Sequence, residues 1–174
     1  MDNLIFDESK ILEIYRLKNL IRYNHKTRLK DENVAEHSFF VSIFSLMLCK
    51  QLKLNDNITF TCLVKALLHD MPEINLNDIT HDVKDILNLH SLLKQYEDKY
   101  FNNIFPDFAT LMNDNSENII NLIVKYADTM SVLQYSINEK QLGNTTFDVI
   151  EKDAIERLNK LKIKITEIMN DEKT

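Results

Sequence analysis

A chain of 174 residues with a single glycine, Gly143, has few folds open to it. Tight hairpins draw on glycine for positive φ, and phosphate-cradling loops need it so that the backbone can approach a ligand without a Cβ in the way. A P-loop or a dinucleotide fingerprint needs two or three glycines within about eight residues, so both are excluded by count. What remains is a set of helices joined by ordinary turns.

The apolar periodicity agrees. Ile11, Ile14, Leu17 and Ile21 share one helical face, as do Val34, Val41, Phe44 and Leu48, and in a third segment Leu63, Ala66 and Leu67. Ile119, Ile123, Tyr126, Met130, Leu133 and Ile137 step alternately by four and three, and Phe147, Ile150, Ala154, Leu158, Leu161, Ile165 and Ile168 nearly do the same. Gly143-Asn144, between these last two segments, reads as a left-handed helix C-cap. The expected fold class is all-α, a single-domain helical bundle of about six or seven helices. At 44% hydrophobic content one domain over residues 1–174 is expected, with a polar tail from about residue 170 that frays. The apolar run at Phe101, Ile104 and Phe105 is assigned to the core ahead of an interface.

With 21 Lys+Arg against 27 Asp+Glu the formal charge is −6, and no basic stripe with interleaved aromatics appears, which argues against a nucleic-acid partner. Cys49 and Cys62 sit inside apolar runs and read as buried free thiols of a reducing compartment. The acidic start "MDNLIFDESK" lacks the character of a targeting peptide, and no segment approaches about 20 uninterrupted apolar residues. A cytoplasmic protein without membrane contact is expected.

Some residues break the pattern. In "ENVAEHSFFVSIFSL" His37 takes a core-facing slot between Val34 and Val41. Asp128, in "IVKYADTMSVL", lies mid-helix among Val124, Ala127 and Val132, where a buried carboxylate costs several kcal/mol unless it is paired or bound to a cation. His69-Asp70 follows Leu67-Leu68 where Pro72 should stop a helix, and Glu73 lies one turn on. Each has an ordinary reading alone: a hydrogen-bonded core histidine, an inter-helix salt bridge, a loop glutamate. Together, His37, His69, Asp70 and Asp128 on three helices suggest two imidazoles and two carboxylates around one divalent ion, compatible with Mn, Co, Fe, Ni, Zn or Mg. A carboxylate placed like Glu73 reaches water beside such an ion as a general base. The second pair, His81-Asp82, has no apolar lead-in and reads as a solvated turn or helix start.

His37, then His69-Asp70, then Asp128, in that order on helices, resembles the HD-domain phosphohydrolases. The blocks "ENVAEHS", "LLHDMPEI", "KYADT" and "GNTTF" are similar to those of the bacterial 5′-deoxynucleotidase branch, from about Arg22 to Phe147. The resemblance implies that His37, His69, Asp70 and Asp128 hold the metal and that Glu73 activates or positions the attacking water. It implies that Asp78 contacts the sugar 3′-hydroxyl, that Arg22 lies near phosphate and sugar, and that Lys84 contacts phosphate. Tyr23 stands where that branch has tryptophan, an aromatic that helps exclude a ribose 2′-hydroxyl, so ribo-versus-deoxy selectivity stays open. "ITHDVK" replaces a Pro-Thr-Pro loop, which gives Thr80 and His81 a claim on the phosphate. The expected activity is metal-dependent release of the 5′-phosphate from (deoxy)nucleoside monophosphates by a homodimer. The alternatives are a deoxynucleoside triphosphate triphosphohydrolase releasing tripolyphosphate, and a helical interaction module with a structural metal.

Overall fold

The computed structural model describes residues 8–77, 79 and 81–171. Its longest helices start for a local reason. Asn33, Asn55 and Asn118 are each in extended conformation, and their side-chain oxygens accept from Glu36 N, Ile58 N and Asn121 N at 2.9 Å, capping α2 (Val34–Gln51), α3 (Asp56–Leu68) and α8 (Ile119–Gln141). Pro106 opens α7 (Pro106–Asn113) at a position that has no use for its missing N–H, and Asp148 and Glu151 place negative charge in the first turn of α9 (Asp148–Asp171). Gly143, at φ +99°, ends α8 as the expected left-handed C-cap.

Among the described residues there are nine α-helices, the others being α1 (Glu8–Tyr15), α4 (Glu73–Leu76), α5 (His81–Ile86) and α6 (His90–Ile104). The count exceeds the six or seven expected because α4 and α5 are short pieces that leave no apolar repeat in the sequence. The first apolar segment also departs from expectation. α1 gives way to a 3-10 turn at Arg16–Asn19, and Ile21 forms an isolated antiparallel bridge with Asn33. Only Leu17 of that segment is buried, while Ile11 and Ile14 are exposed. Leu67 is exposed as well, and Cys62, Lys65 and Ala66 take the inward positions of α3.

α8 packs against α9, α2 and α3, and α2 lies along α3. Where α2, α3 and α8 cross, the contact is made by Val41, Ala66, Val124 and Ala127, all buried and all small. A larger cluster beside it holds Leu17, Val34, Met71, Tyr100 and Phe101, with Ile104 and Phe105 packed against it, so the Phe101 run serves the core as expected. Cys49 and Cys62 are fully buried free thiols. No described helix is long and apolar enough to cross a membrane. Of the tail expected to fray, α9 includes Asn170 and Asp171, and the remainder lies outside the described residues.

Candidate metal and nucleotide site

The small-residue crossing sets the site. His37 is one turn before Val41 on α2, His69 one turn after Ala66 at the end of α3, and Asp128 follows Ala127 on α8. Close helix approach therefore drives the three side chains toward one another. Donor atoms of His37, His69 and Asp70 lie within 4.8 Å of one another, an arrangement able to hold a metal ion. Asp128 Oδ1 faces the same ring nitrogen, 3.2 Å from His37 Nε2, and Asp70 Oδ2 is 3.5 Å from His37 Nε2 and 3.3 Å from His69 Nε2.

The hydrogen bonds around the rings decide what these distances mean. His69 Nδ1–H donates to Ala66 O at 2.8 Å, and His37 Nδ1 is bonded to Ser131 Oγ at 3.0 Å. With Nδ1 engaged, the Nε2 atoms turn to the carboxylates, yet both are buried without a hydrogen-bond partner among the described residues. Burial, aided by the nearby Arg22 charge, lowers the His37 pKa below its ordinary 6.5, so its ring is neutral. For His69, whose Nδ1–H is given to a carbonyl, a neutral ring presents an Nε2 lone pair to the Asp70 carboxylate, a contact that a cation between them makes favourable. Enclosure acts to raise the Asp128 pKa, but His37, His69 and Arg22 outweigh it and hold the group well below the usual carboxylate range. Two imidazole Nε2 atoms and the oxygens of Asp70 and Asp128 make a donor set that fits a divalent ion.

Arg22 enters from the loop between the 3-10 turn and α2. Its Nη1 donates to Asp70 Oδ2 at 3.3 Å and its Nε lies 3.4 Å from Glu32. Backbone bonds from Arg22 N to Glu32 O and from Val34 N to Leu20 O close the neck of this loop, both at 2.9 Å. Burial opposes the Arg22 charge, but Asp70 and its other neighbours raise the pKa and keep the guanidinium protonated. Burial pushes the Glu32 carboxyl up to about 7 against the pull of Arg22. Tyr23, at φ +53°, stacks on Tyr135 at 5.1 Å and meets Phe147 edge-on at 5.5 Å. The far side of the loop is tied to α8. Glu139, fully buried, accepts from Leu29 N and Lys30 N at 2.8 Å and from Asn144 Nδ2 at 2.6 Å, while Tyr135 donates to Lys30 O at 2.6 Å.

A cavity of about 490 Å³ opens beside the cluster, within the range of small-molecule sites. Arg22, Tyr23, Asp70, Glu73, Lys84 and Asp128 all line it, so the structure brings those sequence-selected residues to one place. Asp78 and Thr80, and the side chains of His81 and Asp82, lie outside what is described; His81 and Asp82 open α5, and Ile79 reaches the cavity wall. Sequence reasoning missed Asp153 and Arg157 of α9, which also line the cavity, and Glu139, which holds the Arg22 loop. The signal for the first two was slight, a polar pair bordering the apolar stripe through Ile150 and Ala154. Glu139 gives none beyond its nearness to the "GNTTF" block.

Residues 11–171 match the family model described as 5′-deoxynucleotidase YfbR-like. The chain belongs to the YfbR-like family. A curated relative, the 4′-phosphooxetanocin A phosphatase of Priestia megaterium, is 26% identical over 164 residues, 88% of this chain and 84% of that protein. Among solved structures, a protein of Pyrococcus horikoshii OT3 is similar at TM-score 0.78 and 25% identity, over 95% of this chain and 97% of the other. The HD phosphohydrolase of cyanophage S-2L, bound to dA and one catalytic Zn²⁺ ion, shares the fold at TM-score 0.60 and 15% identity, over 97% of this chain and 99% of the other. YfbR-like membership and the shared fold bear out the expected all-α HD-type architecture of the enzyme.

Proposed function

We propose that this YfbR-like protein is a metal-dependent phosphohydrolase that removes the 5′-phosphate from nucleoside monophosphates, with deoxyribonucleotides as the leading substrates. The observation that carries the reading is the pair of buried, partnerless Nε2 atoms of His37 and His69 converging with two carboxylates at one end of a nucleotide-sized cavity. His37, His69, Asp70 and Asp128 would hold the ion. When bound, the divalent cation supplies Lewis-acid polarisation of the phosphate and acidifies nearby water. Arg22 and Lys84, both on the cavity wall, neutralise the remaining phosphate charge and orient the monoester for in-line attack. Glu73 takes a proton from the attacking water as its oxygen bonds to phosphorus and the bond from phosphorus to the nucleoside 5′-oxygen breaks. That oxygen takes up a proton, so water is divided between nucleoside and orthophosphate. Tyr23, held by Tyr135 and Phe147, packs against the sugar, and the role of the 3′-hydroxyl partner falls to Asp78.

The test is product analysis of ribo- and deoxyribonucleoside mono- and triphosphates with Mn²⁺, Co²⁺, Zn²⁺ or Mg²⁺ supplied in turn. Nucleoside and orthophosphate are expected from monophosphates, with turnover lost by at least a thousandfold in Asp70→Ala, on the order of what removing a principal source of transition-state charge stabilisation costs. Tripolyphosphate as product, or full activity of Asp70→Ala, overturns the reading. The interaction-module alternative accounts poorly for an arrangement open to a cavity, because a structural ion is usually enclosed by its ligands.

A further inference from the structure

One wall of the cavity has no part in the phosphate chemistry. Ile150, Asp153, Ala154 and Arg157 recur at the spacing that puts residues on one face of a helix, and all four line the cavity from α9. Val132 of α8, one turn beyond Asp128, joins Ile150 and Ala154 in an apolar strip on the cavity wall. Asp153 and Arg157 flank that strip one turn apart. At the same spacing on α9, Glu156 and Lys160 lie 2.6 Å apart as an ion pair. Asp153 and Arg157 form no such pair, and neither makes a hydrogen bond or ion pair with any described residue.

Asp153 is the feature that needs explaining. Of the described carboxylates lining the cavity, Asp70, Glu73 and Asp128 belong to the proposed metal end and Asp153 alone does not. A carboxylate in a cavity that admits a phosphate dianion repels it, so its place there favours a ligand group that donates hydrogen bonds. Arg157, one turn along the same face, leaves the two positions with no net charge between them, which makes them unsuited to a second phosphate and suited to a neutral edge with both donors and acceptors. A nucleobase resting on the apolar strip offers such an edge.

We propose that Asp153 and Arg157 read the base of the substrate and favour guanine, an inference that rests on the nucleotidase reading above. Guanine presents N1–H and the 2-amino group side by side, two donors for one carboxylate, and O6 with N7 as the acceptor pair that suits a guanidinium. Adenine and cytosine put an acceptor where the carboxylate needs its second donor, and thymine flanks its one N–H with carbonyl oxygens. Guanine alone satisfies both side chains.

The experiment compares kcat/KM for dGMP, dIMP, dAMP, dCMP and dTMP on the metal-loaded enzyme, with 2-deoxyribose 5-phosphate as the base-free reference. Both groups are exposed, so the effect belongs at the low end for a bidentate contact. Wild type should prefer dGMP over dAMP and dTMP by about tenfold, with dIMP, which lacks the 2-amino group, between them. In Asp153→Asn the ratio of dGMP to the base-free reference should fall about tenfold, and Arg157→Gln should lower it as well. A flat base profile in wild type, or an Asp153→Asn protein in which dGMP and the reference slow equally, overturns the inference and leaves the nucleotidase reading standing. Failure to release phosphate from any nucleotide takes down that reading, and this one with it.

Discussion

Glu139 is fully buried and makes no contact with the metal cluster, yet the site depends on it. Its carboxylate receives Leu29 N, Lys30 N and Asn144 Nδ2, and by fixing residues 29 and 30 it fixes the loop that delivers Arg22 and Tyr23. Burial acts to raise its pKa, but those donors, Asn144 first, bring it below the ordinary 4.5. A carboxyl depressed in the folded state contributes stability that is complete above the unfolded value and is lost as pH falls through the folded one. Glu139→Gln keeps the shape but turns an amide N–H₂ against backbone donors. It should cost about 1.5–3 kcal/mol at pH 7, the usual worth of hydrogen bonds to a charged group. The gap between the two proteins in urea midpoint should narrow below pH 4.5; equal midpoints at pH 7 would contradict this role. The residue could not be found from the sequence. His37 and Asp128 stood out because a titratable group interrupted an apolar stripe, whereas Glu139 sits near the polar end of α8, where a glutamate is unremarked.

At the scale of elements, the site is a consequence of how closely α2, α3 and α8 cross. Val41, Ala66, Val124 and Ala127 fill that crossing, and each is within one turn of a proposed ligand. Ala66 is completely buried, so Ala66→Leu has no room to expand into except by parting α3 from α2 and α8. Overpacking of this kind costs about 1–3 kcal/mol. It should also weaken divalent-ion binding by about tenfold or more, since ligand donors must keep coordination distances within about 0.2 Å. Isothermal titration with Mn²⁺ or Zn²⁺ checks this, and unchanged affinity in a destabilised Ala66→Leu protein would separate packing from ligand placement. The sequence made the long helices legible, along with the Gly143 cap and the stop before Pro72. It did not show that the small side chains of three distant segments meet, because smallness carries no periodic signal. Nor did it show that α1 hands over to a 3-10 turn and that Ile21 bridges to Asn33, a pairing between residues twelve apart that no local pattern records.

For the molecule as a whole, the proposed ligands tie together segments from His37 to Asp128 that are otherwise held by packing and a few side-chain hydrogen bonds. An ion that binds only the folded chain stabilises it by about 2.7 kcal/mol at a hundredfold excess over its dissociation constant. Wild-type Tm should therefore rise on titration with a divalent ion and fall back with chelator, while Asp70→Ala, lacking a ligand, should respond weakly at the same concentrations. An identical rise in both proteins would place the ion elsewhere. The sequence by itself determined the helical class, through one glycine and the periodicity, and it marked the proposed metal ligands, because ionisable groups in apolar stripes are costly enough to stand out locally. Only the tertiary structure decided that His37 and His69 keep their Nε2 atoms without hydrogen-bond partners among the described residues, that Glu139 holds the Arg22 loop, and that Asp153 and Arg157 line the same cavity as Asp70 and Asp128. Those are relations between residues far apart in the chain, fixed by which helices pack together and at what distance.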